Sequence, residues 1–480
     1  MKNNREKGRV GFFAVVHNTY FDQFEGLRES LMHYHRVLAA DLAEQPIELV
    51  DYGMIETSEQ AYELLQRMQG DSLDMVFCNM ITYATSSVFA PIIRDLNMPV
   101  VLLALQPLEG LDYSKASTYM QLENDNICAV PEFVFTANRM GKKVADVIVG
   151  YLYNDKQAQQ QIAEWCRIAN VLHAVHGARI GLMGHVMEAM YDMHTDPTAL
   201  SAAFGLHVPL LEIEDLIALS ETVTAEEIED KKATILNMFD TPVPKSDPVT
   251  RQLTPEDLES AARSAVALDK LVEAKSLTGL AYYYEGKPGT PQQAMAGSLI
   301  VGNSLLNARG VPMCGEYDIK TCVAMLILDR LGIGGSFAEL HPFDFREDFI
   351  LVGHDGPHHI EIADGRPVLR SLTKYHGKPG SGASVEFKIK EGPVTMMGLT
   401  QTASGSYRFI IGEGVSKKGP IPPTGNTNTR CFFEPSTREF VRTWVMQGAT
   451  HHFALGVGHH AETLRRIADC LGIESVIVKG

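Results

Sequence analysis

Glu316, Glu339, His354 and the adjacent pair His451–His452 are the side chains of this 480-residue sequence whose types and placement suit chemistry. Glu316 stands in MCGEYDIKT, where a strand and loop give way to a helix. Glu339 lies in GGSFAEL, at the entry to a β-rich region. His354 follows an apolar strand in LVGHDGPHH, and the histidine pair sits in GATHHFAL at a helix-to-loop junction. Two carboxylates with two imidazoles form a ligand set of intermediate hardness, suited to manganese, cobalt or magnesium. Successive side chains point to different faces, so at most one histidine of the pair is expected to face such an ion. Taken singly, every position has an ordinary structural reading that outweighs the chemical one. Glu316 would be a first-turn carboxylate facing a helix dipole, Glu339 a turn cap and His354 a strand-end histidine. No spacing matches HExxH or another short metal motif.

The elements that must position these residues follow from hydrophobic patterning. In the first third, RVGFFAVV, IELVDYG, DMVFCNM and PVVLLAL read as buried strands alternating with helices such as FEGLRESLMHYHRVLAADLAE, which implies a parallel, doubly wound sheet. Helices over 132–153 and 156–172 close this unit. ARIGLMG begins a second α/β unit with VPLLEIE and GLAYYYE as further strands, and the proline-rich TPVPKSDPVTRQLTPEDLE links them. Within it, Thr254, Pro255, Glu256 and Asp257 give a capping residue, a first-turn proline and acids, a strong start for a helix over 254–274. The helix after Glu316 is expected to turn Ile319, Val323 and Leu326 inward as one apolar face. After about Gly335 the segments FILVGHD, HIEIA, PVLRSL, ASVEFKI, PVTMMGLTQT and SYRFIIGEG are short and punctuated by Gly and Pro, as in an antiparallel barrel. The fold expected is α/β: two doubly wound parallel-sheet (Rossmann-like) domains over 1–174 and 175–334, then an antiparallel β-barrel-like domain with terminal helices over 335–480.

Composition removes several functions. Lys plus Arg number 42 against 59 Asp plus Glu, a formal charge of −17, which argues against nucleic acid and anionic membranes as partners. No stretch reaches the roughly 18 apolar residues of a membrane span, and no signal-peptide pattern opens the sequence. The seven cysteines are scattered without a CxxC pair, which disfavours a disulfide framework and points to a cytoplasmic protein. GLMGHVMEAM lacks the GxGxxG dinucleotide pattern, and neither a GxxxxGK[ST] phosphate loop nor a GxSxG elbow occurs.

Taken together and in order, MCGEYDIKT, GGSFAEL, LVGHDGP and ATHHFAL resemble the L-arabinose isomerase and L-fucose isomerase superfamily. HNTYFDQFEGLRE and RIGLMGHVMEAMYDMHTD extend the likeness over nearly the whole chain. The resemblance implies a metal-dependent aldose–ketose isomerase with Glu316, Glu339, His354 and His452 as metal ligands, manganese foremost and cobalt or magnesium also compatible. It further implies Met187, Tyr284 and His451 as sugar contacts and a homo-oligomer, usually a hexamer. Asn18 and Gln23, in the loop after the first strand, lie at the edge where open α/β sheets bind ligands. GHDGP is closer to the fucose pattern, while GEYDIKT and GGSFAE are closer to the arabinose one. ALQPLEG stands where arabinose isomerases carry a histidine-bearing loop. The sugar, a pentose or a 6-deoxyhexose, is therefore left open. In the implied reaction Glu316 and Glu339 serve as acid and base across an enediol while the cation bears the developing charge. A sugar epimerase or lyase using the same enediol is the alternative enzyme, and a non-enzymatic two-lobed sugar-binding protein ranks last.

Overall fold

The computed structural model describes residues 7–243, 249–374, 382–424 and 426–479. The chain divides into two compact units, Glu6–Ala174 and Val175–Gly480. In the first, strands β1 (Arg9–Val15), β2 (Glu48–Ile55), β3 (Met75–Met80), β4 (Val100–Gln106) and β5 (Asp146–Tyr151) run parallel in the order β2-β1-β3-β4-β5. All six residues of β3, MVFCNM, are buried, as befits a central parallel strand covered on both faces. The strand order reverses at β1 and β3, and the loop carrying Asn18 opens at that switch point. The helix expected over 132–153 is instead a helix Val130–Arg139 followed by β5. Gly141, with φ +69°, takes the chain out of the helix, and the β-branched run in DVIVGY suits a strand.

The second unit contains a parallel sheet and a barrel. Strands β6 (Ile180–Met183), β7 (Leu210–Leu211), β9 (Gly279–Tyr282) and β10 (Met313–Cys314) pair in the order β10-β9-β6-β7, while β8 (Thr250–Arg251) lies elsewhere. The Pro255–Lys275 helix begins as expected, Thr254 Oγ1 accepting the Asp257 N–H at 3.1 Å. Strands β11 (Gly334–Asp344), β12 (Phe349–His354), β15 (Gly392–Gln401), β16 (Tyr407–Lys417), β17 (Thr427–Phe432) and β18 (Phe453–Val457) close an antiparallel barrel, β15-β18-β11-β12-β17-β16 and back to β15. β19 (Glu474–Val478) adds to β16 in parallel.

Three expected barrel segments lie outside it. PVLRSL and ASVEFKI supply β13 (Val368–Leu372) and β14 (Gly382–Glu386), which join β8 in a three-stranded sheet, β14-β13-β8. The closed barrel offers this hairpin no free edge. HIEIA holds a 3-10 turn, Ile360–Ile362, between Pro357 and the bend at Asp364–Arg366.

The Ile319–Arg330 helix buries residues 319–329 on every side, not along one face. It packs against β6, β9 and β10 on one side and β11, β15 and β18 on the other. A helix buried on every side belongs in the interior, and its polar side chains need partners there. Its buried Asp329 is held by Arg330 and by His359 Nε2. Among the described residues no helix is long and apolar enough to cross a membrane.

Candidate functional site

Glu316 occupies a left-handed turn between β10 and the Ile319–Arg330 helix, with φ +58° there and +61° at Tyr317. Two such non-glycine residues cost about 1–3 kcal/mol each, a strain characteristic of functional positions. The turn is fixed by the Tyr317 N–H donating to the Tyr282 carbonyl at 2.9 Å and the Asp318 N–H to the Gly315 carbonyl at 3.1 Å. Glu339 lies within β11, opposite Gly353 of β12. On its other side β11 pairs Ala338 with Phe453 of β18, so one further step of that register sets His452 across from Glu339. His354 ends β12. Position 353 requires glycine, because a Cβ there would fall on the Thr427 carbonyl of β17. Phe337, two residues before Glu339 and on the same strand face, lays its ring 4.4 Å from that of His354 and 4.3 Å from that of His452.

The polar ends converge. His354 Nε2 and His452 Nε2 are 3.3 Å apart. His452 Nε2 is 3.5 Å from Glu316 Oε2, and His354 Nε2 is 3.9 Å from both Glu316 Oε1 and Glu339 Oε1. The donors make two triads that share His452, Glu316–His451–His452 and Glu339–His354–His452, each with its ligand atoms within 4.8 Å of one another. Bonds of about 2.1 Å to a divalent ion set adjacent ligands about 3 Å apart and opposite ones about 4.2 Å apart, the range seen here. Glu316 Oε2 is buried without a hydrogen-bond partner in the chain, a costly state for an anionic oxygen that a cation relieves. The donor set fits a divalent metal.

Further groups aim the imidazoles. His452 Nδ1 donates to Asp318 Oδ2 at 3.1 Å. Asp318, fully buried, also accepts from the Thr321 N–H at 3.0 Å and hydroxyl at 2.7 Å, capping the helix. With Nδ1 protonated, Nε2 keeps its lone pair for a ligand. Asp355 Oδ1 lies 3.2 Å from His354 Nδ1. His451 Nδ1 donates to Asp192 Oδ2 at 2.6 Å, while its Nε2 is 3.9 Å from Glu316 Oε2. Both rings of the pair thus reach Glu316, contrary to the expectation that only one would turn inward. The chain bends at the start of β18 and brings the ring centroids to 3.9 Å.

Burial pushes the Glu316 carboxyl up, but His451, His452 and His354 beside it outweigh that and hold it below the usual carboxylate range. His452 moves down, burial and the neighbouring His354 prevailing over Asp318. Burial opposes a charge on His451, yet Glu316 and Asp192 raise its imidazole to about 9.

Glu316, Glu339, His354, His451 and Tyr284 line one cavity of about 180 Å³, with Met190 on its wall. His452 sits behind, fully buried. Met187 does not line the cavity; its carbonyl accepts from His194 Nε2 at 2.7 Å. Asn18 and Gln23 are exposed on the N-terminal unit, around the 3-10 turn Asn18–Tyr20. Sequence reasoning passed over Asp318, Asp355, Asp192, Lys320 and His341, whose Nε2 is 3.8 Å from Glu339 Oε1. Asp318 and Lys320 stand inside GEYDIKT and Asp355 inside GHDGP, where an acid just before a helix or beside a histidine is a usable signal. Asp192 has none, being 259 residues from its partner His451.

The family model for the L-arabinose isomerase N-terminal domain matches residues 24–177, and that for the L-fucose isomerase C-terminal domain matches residues 368–479. Neither range includes 178–367, which carries Glu316, Glu339 and His354. The chain is 26% identical over 463 residues to an L-arabinose isomerase from Nocardioides sp., covering 93% of this chain and 89% of that protein. It is 23% identical over 451 residues to one from Yersinia pseudotuberculosis and 22% identical over 446 residues to one from Yersinia pestis, each match covering 90% of this chain and 86% of the relative. With isomerase-family domains matched at both ends and a likeness running almost the full length, the chain is a divergent member of the L-arabinose isomerase and L-fucose isomerase superfamily.

Proposed function

We propose that the protein is a metal-dependent aldose–ketose isomerase acting on an L-arabinose-like pentose or a 6-deoxyhexose. The observation that carries this reading is the convergence of Glu316, Glu339 and His354 on one small cavity with His452 directly behind. These four residues would hold a divalent ion, manganese foremost, which supplies Lewis-acid stabilisation of charge on two adjacent sugar oxygens. Glu316 and Glu339 do the proton work. One carboxylate removes the hydrogen at C2 of the open-chain aldose and returns it to C1, while the other moves the O2 proton to O1, so the net change is an isomerisation. Such acid–base catalysis contributes about 10²–10⁴-fold. The His451 imidazole, raised by Glu316 and Asp192, donates from Nε2 to a sugar hydroxyl. Tyr284 and Met190 form the wall that excludes water and selects the sugar. Asn18 and Gln23, exposed on the N-terminal unit, are available to a neighbouring copy in a homo-oligomer, which we propose to be a hexamer. The test is a panel of aldoses incubated with and without Mn²⁺, with ketose formation measured in heavy water. Ketose labelled at one carbon and dependent on the metal is expected. Absence of ketose from every pentose and 6-deoxyhexose, or full turnover after chelation, would overturn the proposal.

A further inference from the structure

Lys320 is 2% exposed, and a buried ammonium must be held by something that compensates for its lost hydration. Here it donates to backbone carbonyls, those of Asp192 at 2.5 Å and His194 at 3.4 Å. The short helix Tyr191–Met193 is thereby tied to the Ile319–Arg330 helix. Asp192 turns its carboxylate the other way, where Oδ2 accepts both the backbone N–H of His451 at 2.9 Å and its Nδ1 at 2.6 Å. Two donors from one residue on one oxygen fix both the peptide and the ring of His451.

We infer that Asp192 and Lys320 are positioning residues for His451, so that one turn of one helix aims both histidines of the pair. Asp318 reaches His452 directly, and Lys320, two residues on, reaches His451 through Asp192. The arrangement commits Nδ1 of His451 to donation and leaves Nε2 facing the cavity. It also places Met190, next to the tied segment, on the cavity wall. The role given to His451 toward the sugar rests on the proposed isomerase; the aiming of its ring does not.

Three variants test this: Asp192→Ala, Asp192→Asn and Lys320→Met. Protein with ¹⁵N-labelled histidine, assigned with His451→Gln, reports the Nδ1 proton of His451 directly. That signal is expected to disappear in Asp192→Ala and to persist in Asp192→Asn, because an amide oxygen accepts both N–H groups as the carboxylate oxygen does. At saturating Mn²⁺, kcat for the best aldose should fall about 10–100-fold in Asp192→Ala with KM little changed, and Asp192→Asn should restore most of it. Mn²⁺ affinity should be unaltered in both. Lys320→Met should also lose the Nδ1 signal, and adding it to Asp192→Ala should cost nothing further, since residues acting in series are not additive. An Nδ1 signal that survives Asp192→Ala, an Asp192→Asn variant as impaired as Asp192→Ala, or additive losses in the double variant would each overturn the inference. If the native protein converts no aldose, the isomerase reading falls while the imidazole spectra still decide this one.

Discussion

Replacing Asp318 by Asn alters one atom at the most buried joint of the site. Asp318 Oδ1 accepts the Thr321 N–H at 3.0 Å, and Oδ2 accepts the Thr321 hydroxyl at 2.7 Å and His452 Nδ1–H at 3.1 Å. In the Asn variant the carbonyl stays on the Thr321 N–H, preserving a cap as good as Asp. The amide NH₂ then occupies the Oδ2 position. The Thr321 hydroxyl rotates to accept from it, but His452 Nδ1 can do so only by surrendering its proton to Nε2. That tautomer has no lone pair to offer at Nε2, where His354 and Glu316 converge. Flipping the amide sets a donor against the Thr321 N–H instead, so neither orientation is without cost. Losses of this kind typically reduce metal affinity 10–100-fold, about 1.4–2.7 kcal/mol. Calorimetric titration of Mn²⁺ into metal-stripped protein measures the change, and circular dichroism of the stripped variant checks that the fold is retained. Native Mn²⁺ affinity in Asp318→Asn would refute the assignment of His452 as a ligand through Nε2.

Glu316→Gln and Glu339→Gln should each lower kcat by about 10²–10⁴-fold at saturating Mn²⁺ with the fold retained by circular dichroism, and near-native turnover in either would remove that residue from the proton path. Gly353→Ala should destabilise the protein by about 3 kcal/mol or more in urea titrations, because the new methyl meets the Thr427 backbone inside a closed ladder. Chelation should lower the melting temperature as well as abolish turnover. At a metal concentration 100 times Kd the bound ion contributes about 2.7 kcal/mol, and a scan indifferent to EDTA would count against the site.

Much of this was legible before any coordinates, and the exceptions have physical reasons. Period-two and buried-run patterns marked β1 to β4 of the first sheet and β12, β15 and β16 of the barrel, because burial selects β-branched and apolar residues wherever a strand pairs. The pattern could not say which strands pair with which. PVLRSL and ASVEFKI look like barrel strands, yet the closure of β15 on β16 excludes them; they pair with each other, and β13 also pairs with β8. The helix over 132–153 went astray because VADVIVGY suits a buried helix as well as a strand until Gly141 is seen to take a left-handed turn. At the site, Glu339, His354 and His452 were singled out by the family's motifs taken in order and not by type alone, and β11 brings them together through its two neighbours. The left-handed backbone at Glu316 and Tyr317 had no local signature, neither being glycine. The Asp192–His451 bond joins segments 259 residues apart, and only the folded chain discloses such a pairing.

The site divides between two kinds of support. Glu339 and His354 are rungs or ends of a barrel with no free seam, and Glu316 and His452 are braced against it by a wholly interior helix. Met190 and Tyr284, by contrast, project from connections that belong to no ladder. Substitution in those connections can reshape the chamber without disturbing the cluster of carboxylates and imidazoles. Lineages built on this plan are therefore free to exchange one sugar for another while the reaction itself stays constant, and distant kinship in sequence is compatible with unchanged chemistry at the centre.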